Sequence, residues 1–146
     1  MTSFKPFIAE SFKEENVSVD IFKHVEKSIM LIRLKGVLPD GSAARNDCNY
    51  INQQLTLNLL AMRPISVLMD MSQLEYSFGN SLIHALSPLF ELPIFEDKFD
   101  IGFLLSDLNK YGLASLWNID VSQPPKNIFF HYEEALQYVE AAYDWL

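Results

Sequence analysis

The stretch ISVLMDMSQLEYSFGNSLIHAL, Ile65 to Leu86, decides the fold of this chain. Its first seven residues, Ile65 to Met71, are apolar almost without a break, and so short a run has the character of a strand buried on both faces. Polar residues follow Asp70, and a helix is expected to open between Ser77 and Asn80. Leu82, Ile83, Leu86, Leu89 and Phe90 mark its apolar stripe. Pro88 falls inside that stripe, where a helix interior would lose about 3 kcal/mol, so a kink or a fresh turn is expected at Ser87-Pro88. A buried strand feeding a helix is the repeating unit of α/β proteins, and sites gather at such junctions.

Working toward the N-terminus, residues 17–25 alternate in character. Val17, Val19 and Ile21 share one face and Ser18, Asp20 and Phe22 the other, which is the pattern of a half-buried strand near an edge. A turn at EKS leads into IMLIRLKGVL (Ile29 to Leu38), the second arm of a hairpin with Arg33 and Lys35 exposed. PDGS (Pro39 to Ser42) supplies turn and cap chemistry. Beyond it Ala44, Cys48, Ile51, Leu55, Leu59 and Met62 recur at helical intervals, and Pro64 ends the helix they predict.

Toward the C-terminus, FDIGFLLS (99–106) reads as another buried strand, with Ser106 or Asp107 capping a helix over 107–117. KNIFFH (126–131) is the last strand. Tyr132, Ala135, Leu136, Val139, Tyr143 and Leu146 form the stripe of a closing helix, opposite Glu133, Glu134, Gln137, Glu140 and Asp144. The order β-β-α-β-α-β-α-β-α predicts an α/β fold. Its sheet is mixed and mainly parallel, with helices over both faces and part of one face free for a partner.

The totals bound the class. At 146 residues the chain fits one domain, taken as 17–146 behind an N-terminal arm, 1–16. It is 49% hydrophobic and 13% aromatic, unlike a disordered segment. Residues 1–35 carry six basic and five acidic groups, whereas the rest carry five and 14, for a net charge of −8. So acidic a body repels phosphate backbones, which argues against nucleic acid, and no basic run marks a path for anionic lipid. The single Cys48 has no disulfide partner, no signal-peptide core opens the chain, and no window reaches the ~18 apolar residues of a membrane span. A cytoplasmic protein is expected, with the sequon Asn16-Val17-Ser18 fortuitous.

Catalytic chemistry finds no foothold. His24, His84 and His131 show neither HxxxH nor HxH spacing, and no acid or Cys joins them as metal ligands. There is no Walker motif, no GxGxxG and no GxSxG, so no cofactor is expected and no catalytic residue is nominated. Cys48 lies on an apolar stripe and reads as a small hydrophobe. Asp70, at a buried strand end, reads as an acceptor for loop amides. Ser77 has two readings, a helix cap or a phosphate acceptor at the positive end of a helix. The aromatics Phe4, Phe7, Phe12, Tyr143 and Trp145 at the two ends either fold back on the body or anchor a partner, and a homodimer through the arm is one form of that.

Read together, these elements resemble the STAS domain, the family of anti-sigma-factor antagonists and transporter tails. The resemblance rests on Asp70-Met71-Ser72, on Leu74, and on Tyr76-Ser77-Phe78-Gly79 in the place of the family's D-S-S-G. The glycine-bearing strand IMLIRLKGVL and NIFFHYEEALQYV near the end extend it. It implies a non-enzymatic regulatory module binding a protein partner through Tyr76, Ser77, Phe78, Gly79 and Asn80. Ser77 stands where regulatory members are phosphorylated, between Tyr76 and Phe78 in place of polar neighbours. A divergent, STAS-like branch structurally similar to CRAL-TRIO domains gives the alternative, a domain binding a lipid or small apolar ligand.

Overall fold

A computed structural model describes residues 5, 6, 11–92 and 100–143, the side chains of 142 and 143 excepted. Alternating Val17–Lys23 forms β1, which pairs antiparallel with β2, Ile29–Val37, as the hairpin pattern predicts. A 3-10 turn at Gly41–Ala44 leads into α1, Arg45–Met62. Arg63 then adopts a left-handed conformation and Pro64 blocks further helix. β3, Ser66–Glu75, is parallel to β2, and β4, Asp100–Leu104, and β5, Ile128–Phe129, continue the parallel set. The sheet order is β1-β2-β3-β4-β5. Between β3 and β4 the chain forms α2, Ser81–Leu86, and α3, Pro88–Glu91, with the fresh turn at Ser87-Pro88 that the proline demands. α4 spans Lys110–Trp117 and α5 spans Tyr132–Tyr143.

Strand alternation sorts the core into two layers. Met30, Ile32 and Leu34 of β2, Val67, Met69 and Met71 of β3, and Ile101 and Phe103 of β4 point to one side, where they meet α1 to α4. Ile29, Leu68 and Leu104 point to the other, where Ala135 and Val139 of α5 close over them. Gly102 lets α5 approach, because a Cβ there would stand 3.1 Å from Val139 Cγ1. On this second side the β1 end of the sheet is more open, with Phe22 44% exposed beneath the Arg33 guanidinium.

Several boundaries differ from the sequence reading, β1 ending at Lys23 and β4 at Leu104 among them. β3 runs on from Met71 to Glu75 because Gln73 to Glu75 find partners in β2, past a register shift between Arg33 and Lys35. The next helix opens at Ser81, just past the expected window of Ser77 to Asn80. α4 opens at Lys110 instead of residue 107, since the backbone of Asn109 and Lys110 first turns back to the Ser106 carbonyl. β5 keeps only two paired residues of the expected six, at a sheet edge where β4 is its one neighbour. Phe4, Phe7, Trp145 and Leu146 lie outside the described residues, and so does the expected stripe position of the Tyr143 side chain. The described part of the arm follows α1: Phe12 N–H donates to Gln53 Oε1 at 3.1 Å.

Candidate functional site

The corner after β3 is built from three chain segments. Asp70 is 3% exposed and receives the Arg33 Nε–H at 3.0 Å on one oxygen. Its other oxygen accepts the backbone N–H of Ser72 at 3.0 Å and the Ser72 hydroxyl at 2.6 Å. It thus holds the strand where the register shifts, the loop-amide role read from the sequence. Beyond the last β3–β4 pair, Asp70 with Leu104, Asn109 takes over: it is 1% exposed, and its Nδ2 donates to the carbonyl oxygens of Met71 and Leu74, the latter at 2.9 Å. Ser106 Oγ donates to the Ser72 carbonyl at 2.7 Å. No buried side-chain donor or acceptor among the described residues lacks a partner, as close packing of polar groups requires.

Tyr76 turns inward. It is 3% exposed, its N–H donates to the Leu108 carbonyl at 3.2 Å, and its hydroxyl donates to the Gly79 carbonyl at 2.8 Å. Burial, with Cys48 and Asp40 nearby, raises its phenol above the ordinary value. Gly79 sits at φ +124°, and a Cβ there would meet the backbone N of Gly41 at 2.9 Å. Gly112 of α4 lies so close beneath the loop that a Cβ would stand 2.6 Å from the Ser77 carbonyl oxygen. The loop is therefore gripped by the turn after β2 on one side and by α4 on the other.

What the grip presents outward is Ser77, Phe78 and Asn80, all exposed, with Phe78 60% so. Asn80 occupies the cap position of α2 without a side-chain cap bond. Beside the loop lies a shallow groove of about 240 Å³, lined by Tyr76 to Asn80 with Gly112, Ser115 and Leu116. Of the five residues nominated from the sequence, four lie on the surface or at its margin, and Tyr76 lies beneath them.

The other candidates stay apart. His24 closes the hairpin turn: Nδ1 accepts the N–H groups of Glu26 and Lys27, each at 3.1 Å, and Nε2 meets Glu140 at 3.1 Å. His84 lies exposed on α2, and His131 precedes α5 with its carbonyl accepting the Ala135 N–H. No group of three metal-binding side chains forms among the described residues. Cys48 is fully buried, and burial, with the Asp47 carboxylate second, pushes its thiol up to about 11. Sequence reasoning missed Asp47, which is buried and accepts the N–H groups of Asn16 and Val17 at 2.8 and 3.1 Å. It also missed Asn109 and Gly112. An Asn directly ahead of a helix is legible as a cap, but its bonds to a strand 35 and 38 residues away are not.

No protein-family model matches the sequence, and no curated protein matches it. Among solved structures the chain is similar to an anti-sigma factor antagonist from Mycobacterium paratuberculosis. The identity is 14% and the TM-score 0.61, over 88% of this chain and 98% of that one. At that identity the likeness is one of fold. The chain has the STAS-like α/β fold, a five-stranded sheet with one antiparallel pair flanked by helices. No helix among the described residues is long and apolar enough to cross a membrane.

Proposed function

We propose that this chain is a non-enzymatic regulatory module that recognises a protein partner through the corner Ser77–Asn80, with Tyr76 as its internal support. One observation carries the reading. Phe78 is 60% exposed on a loop whose backbone is fixed by the Tyr76 hydroxyl and by close approach to Gly41 and Gly112. A lone exposed aromatic is ordinary. An aromatic held out on a preorganised loop loses little entropy on binding, the property of an anchor residue. Similarity in fold to an anti-sigma factor antagonist supports a regulatory role. Ser77 is exposed, but its neighbours are the phenol and phenyl side chains of Tyr76 and Phe78, so in this reading recognition is constitutive and needs no phosphate.

The test is recovery of partners from the cells that make the protein, with wild type against Phe78→Ala. The variant removes an exposed side chain and leaves the Tyr76 support in place. It is expected to lose most of the bound protein. Equal recovery would reject the corner. Intact-mass analysis of protein from the same cells is expected to show unmodified Ser77, and a phosphate on it would replace constitutive recognition with a switch. The alternative, an apolar-ligand domain, gains no support from the clefts among the described residues. Those of about 290 and 340 Å³ are open grooves lined largely by Asn, Gln, Lys and Glu alongside apolar residues.

A further inference from the structure

His24 stands where three elements meet. Its turn joins β1 to β2, and the Ile65 N–H ahead of β3 donates to the Ser28 carbonyl at 2.8 Å. Beside it lies the C-terminal part of α5, held to the start of β3 by the Ser66 hydroxyl, which donates to the Val139 carbonyl at 3.0 Å. The imidazole serves both neighbours. Nδ1 faces the backbone N–H groups of Glu26 and Lys27, and Nε2 faces Glu140 of α5, all at 3.1 Å. The ring is largely enclosed, with 18% of the His24 side chain exposed against 33% for Glu140.

These partners settle where the protons sit. A backbone N–H only donates, so Nδ1, with two of them aimed at it, holds a lone pair and no proton. The single proton of the neutral ring is then on Nε2, where the Glu140 carboxylate accepts it. A second proton can enter only at Nδ1, and there it sets N–H against N–H. Protonation therefore takes from the turn both of its side-chain bonds. The same proton strengthens the other contact, because a cationic ring meets the charge of Glu140 and the negative end of the α5 dipole. Among the described residues Glu140 is the charged side chain that meets the ring from a neighbouring element. In its own turn Lys23 and Glu26 are exposed and Lys27 half-buried, and Glu26 and Lys27 reach the ring through backbone. The segment ahead of β3 reaches the turn through the Ile65 backbone.

We propose that His24 is a pH-sensitive switch in the hairpin: its neutral ring closes the turn, and its protonated ring releases the turn while staying on Glu140. The two states exchange a pair of backbone hydrogen bonds for a charged pair. Acid thus loosens the tip that carries Val25, 95% exposed, without detaching the ring from α5. The switch lies at the amino end of the parallel strands, away from the corner at Ser77–Asn80, and does not depend on what that corner binds.

NMR of the full chain, followed from about pH 8 down to about pH 5, tests this directly. The neutral His24 ring is expected to carry its proton on Nε2, and the amide protons of Glu26 and Lys27 to move upfield as that ring protonates. Protection of those two amides from exchange, corrected for the intrinsic effect of pH, is expected to fall about fivefold or more. His24→Asn offers the same N–H groups an oxygen that does not titrate, so both amides should hold constant over the range. Glu140→Gln removes the charge that the cation meets, so the same changes should require more acid. If His24→Asn displaces the turn already at pH 8, Glu140→Gln decides alone. Amides that ignore the titration of the ring, or a neutral ring protonated on Nδ1, overturn the proposal. So does an equal pH response in His24→Asn or an unmoved one in Glu140→Gln.

Discussion

Asn109 does more for the corner than any residue in it. Its amide satisfies two carbonyls of β3, and its own Oδ1 accepts the Ser106 N–H at 3.2 Å, so one side chain joins the ends of two parallel strands. Asn109→Ala leaves those buried groups without partners and is expected to lower stability by about 2–3 kcal/mol in urea unfolding. Amide exchange at Tyr76 should quicken in the same variant, because the Leu108 carbonyl that holds it shifts with the loop. A loss below about 1 kcal/mol would show that water replaces the amide without strain. Cys48 makes the opposite kind of contribution. Its folded value of about 11 lies above the ordinary 9.0, so the neutral thiol favours the native state below pH 9. As pH rises from 9 toward 11 the unfolded chain ionises first, and this thiol alone should lower stability by about 1.4 kcal/mol per pH unit. Cys48→Ala should flatten that alkaline limb, and an unchanged slope would assign it to other groups. Alkylation of Cys48 near neutral pH should likewise require unfolding.

Among the elements, α5 was the most legible in the sequence and β3 the most deceptive. The stripe of Ala135, Leu136 and Val139 repeats at helical spacing, and the helix it predicts lies where those residues bury. Its seat depends on a residue the stripe does not reveal: Gly102 in β4, against Val139 and Tyr138. Gly102→Ala is expected to cost about 1–2 kcal/mol by crowding Val139. Combined with Val139→Ala, which opens space there, the double variant should be more stable than the two losses summed, by about 0.5 kcal/mol or more in a double-mutant cycle. Strict additivity would mean that α5 shifts freely over the sheet. β3 misled because its last four residues, Ser72 to Glu75, include three polar side chains that read as a turn. They are strand because β2 and Asn109 supply their backbone partners, information held elsewhere in the chain.

For the whole molecule, the sheet divides the core into two layers. Acidic α5 covers one side and α1 to α4 the other, and the corner at Ser77–Asn80 stands at the carboxyl end of the strands. The sequence by itself determined the order of elements, the antiparallel hairpin, the parallel strands, the break at Pro88 and the position of the Ser77 loop at a strand-to-helix junction. Each of these follows from residues within one or two turns of each other, where periodicity and proline sterics act directly. Only the tertiary structure decided that Tyr76 points inward while Phe78 points out, and that Asp47 and Asn109 bind distant backbone. Those outcomes depend on which distant segments the fold brings within hydrogen-bond or van der Waals reach, and no local pattern encodes that distance.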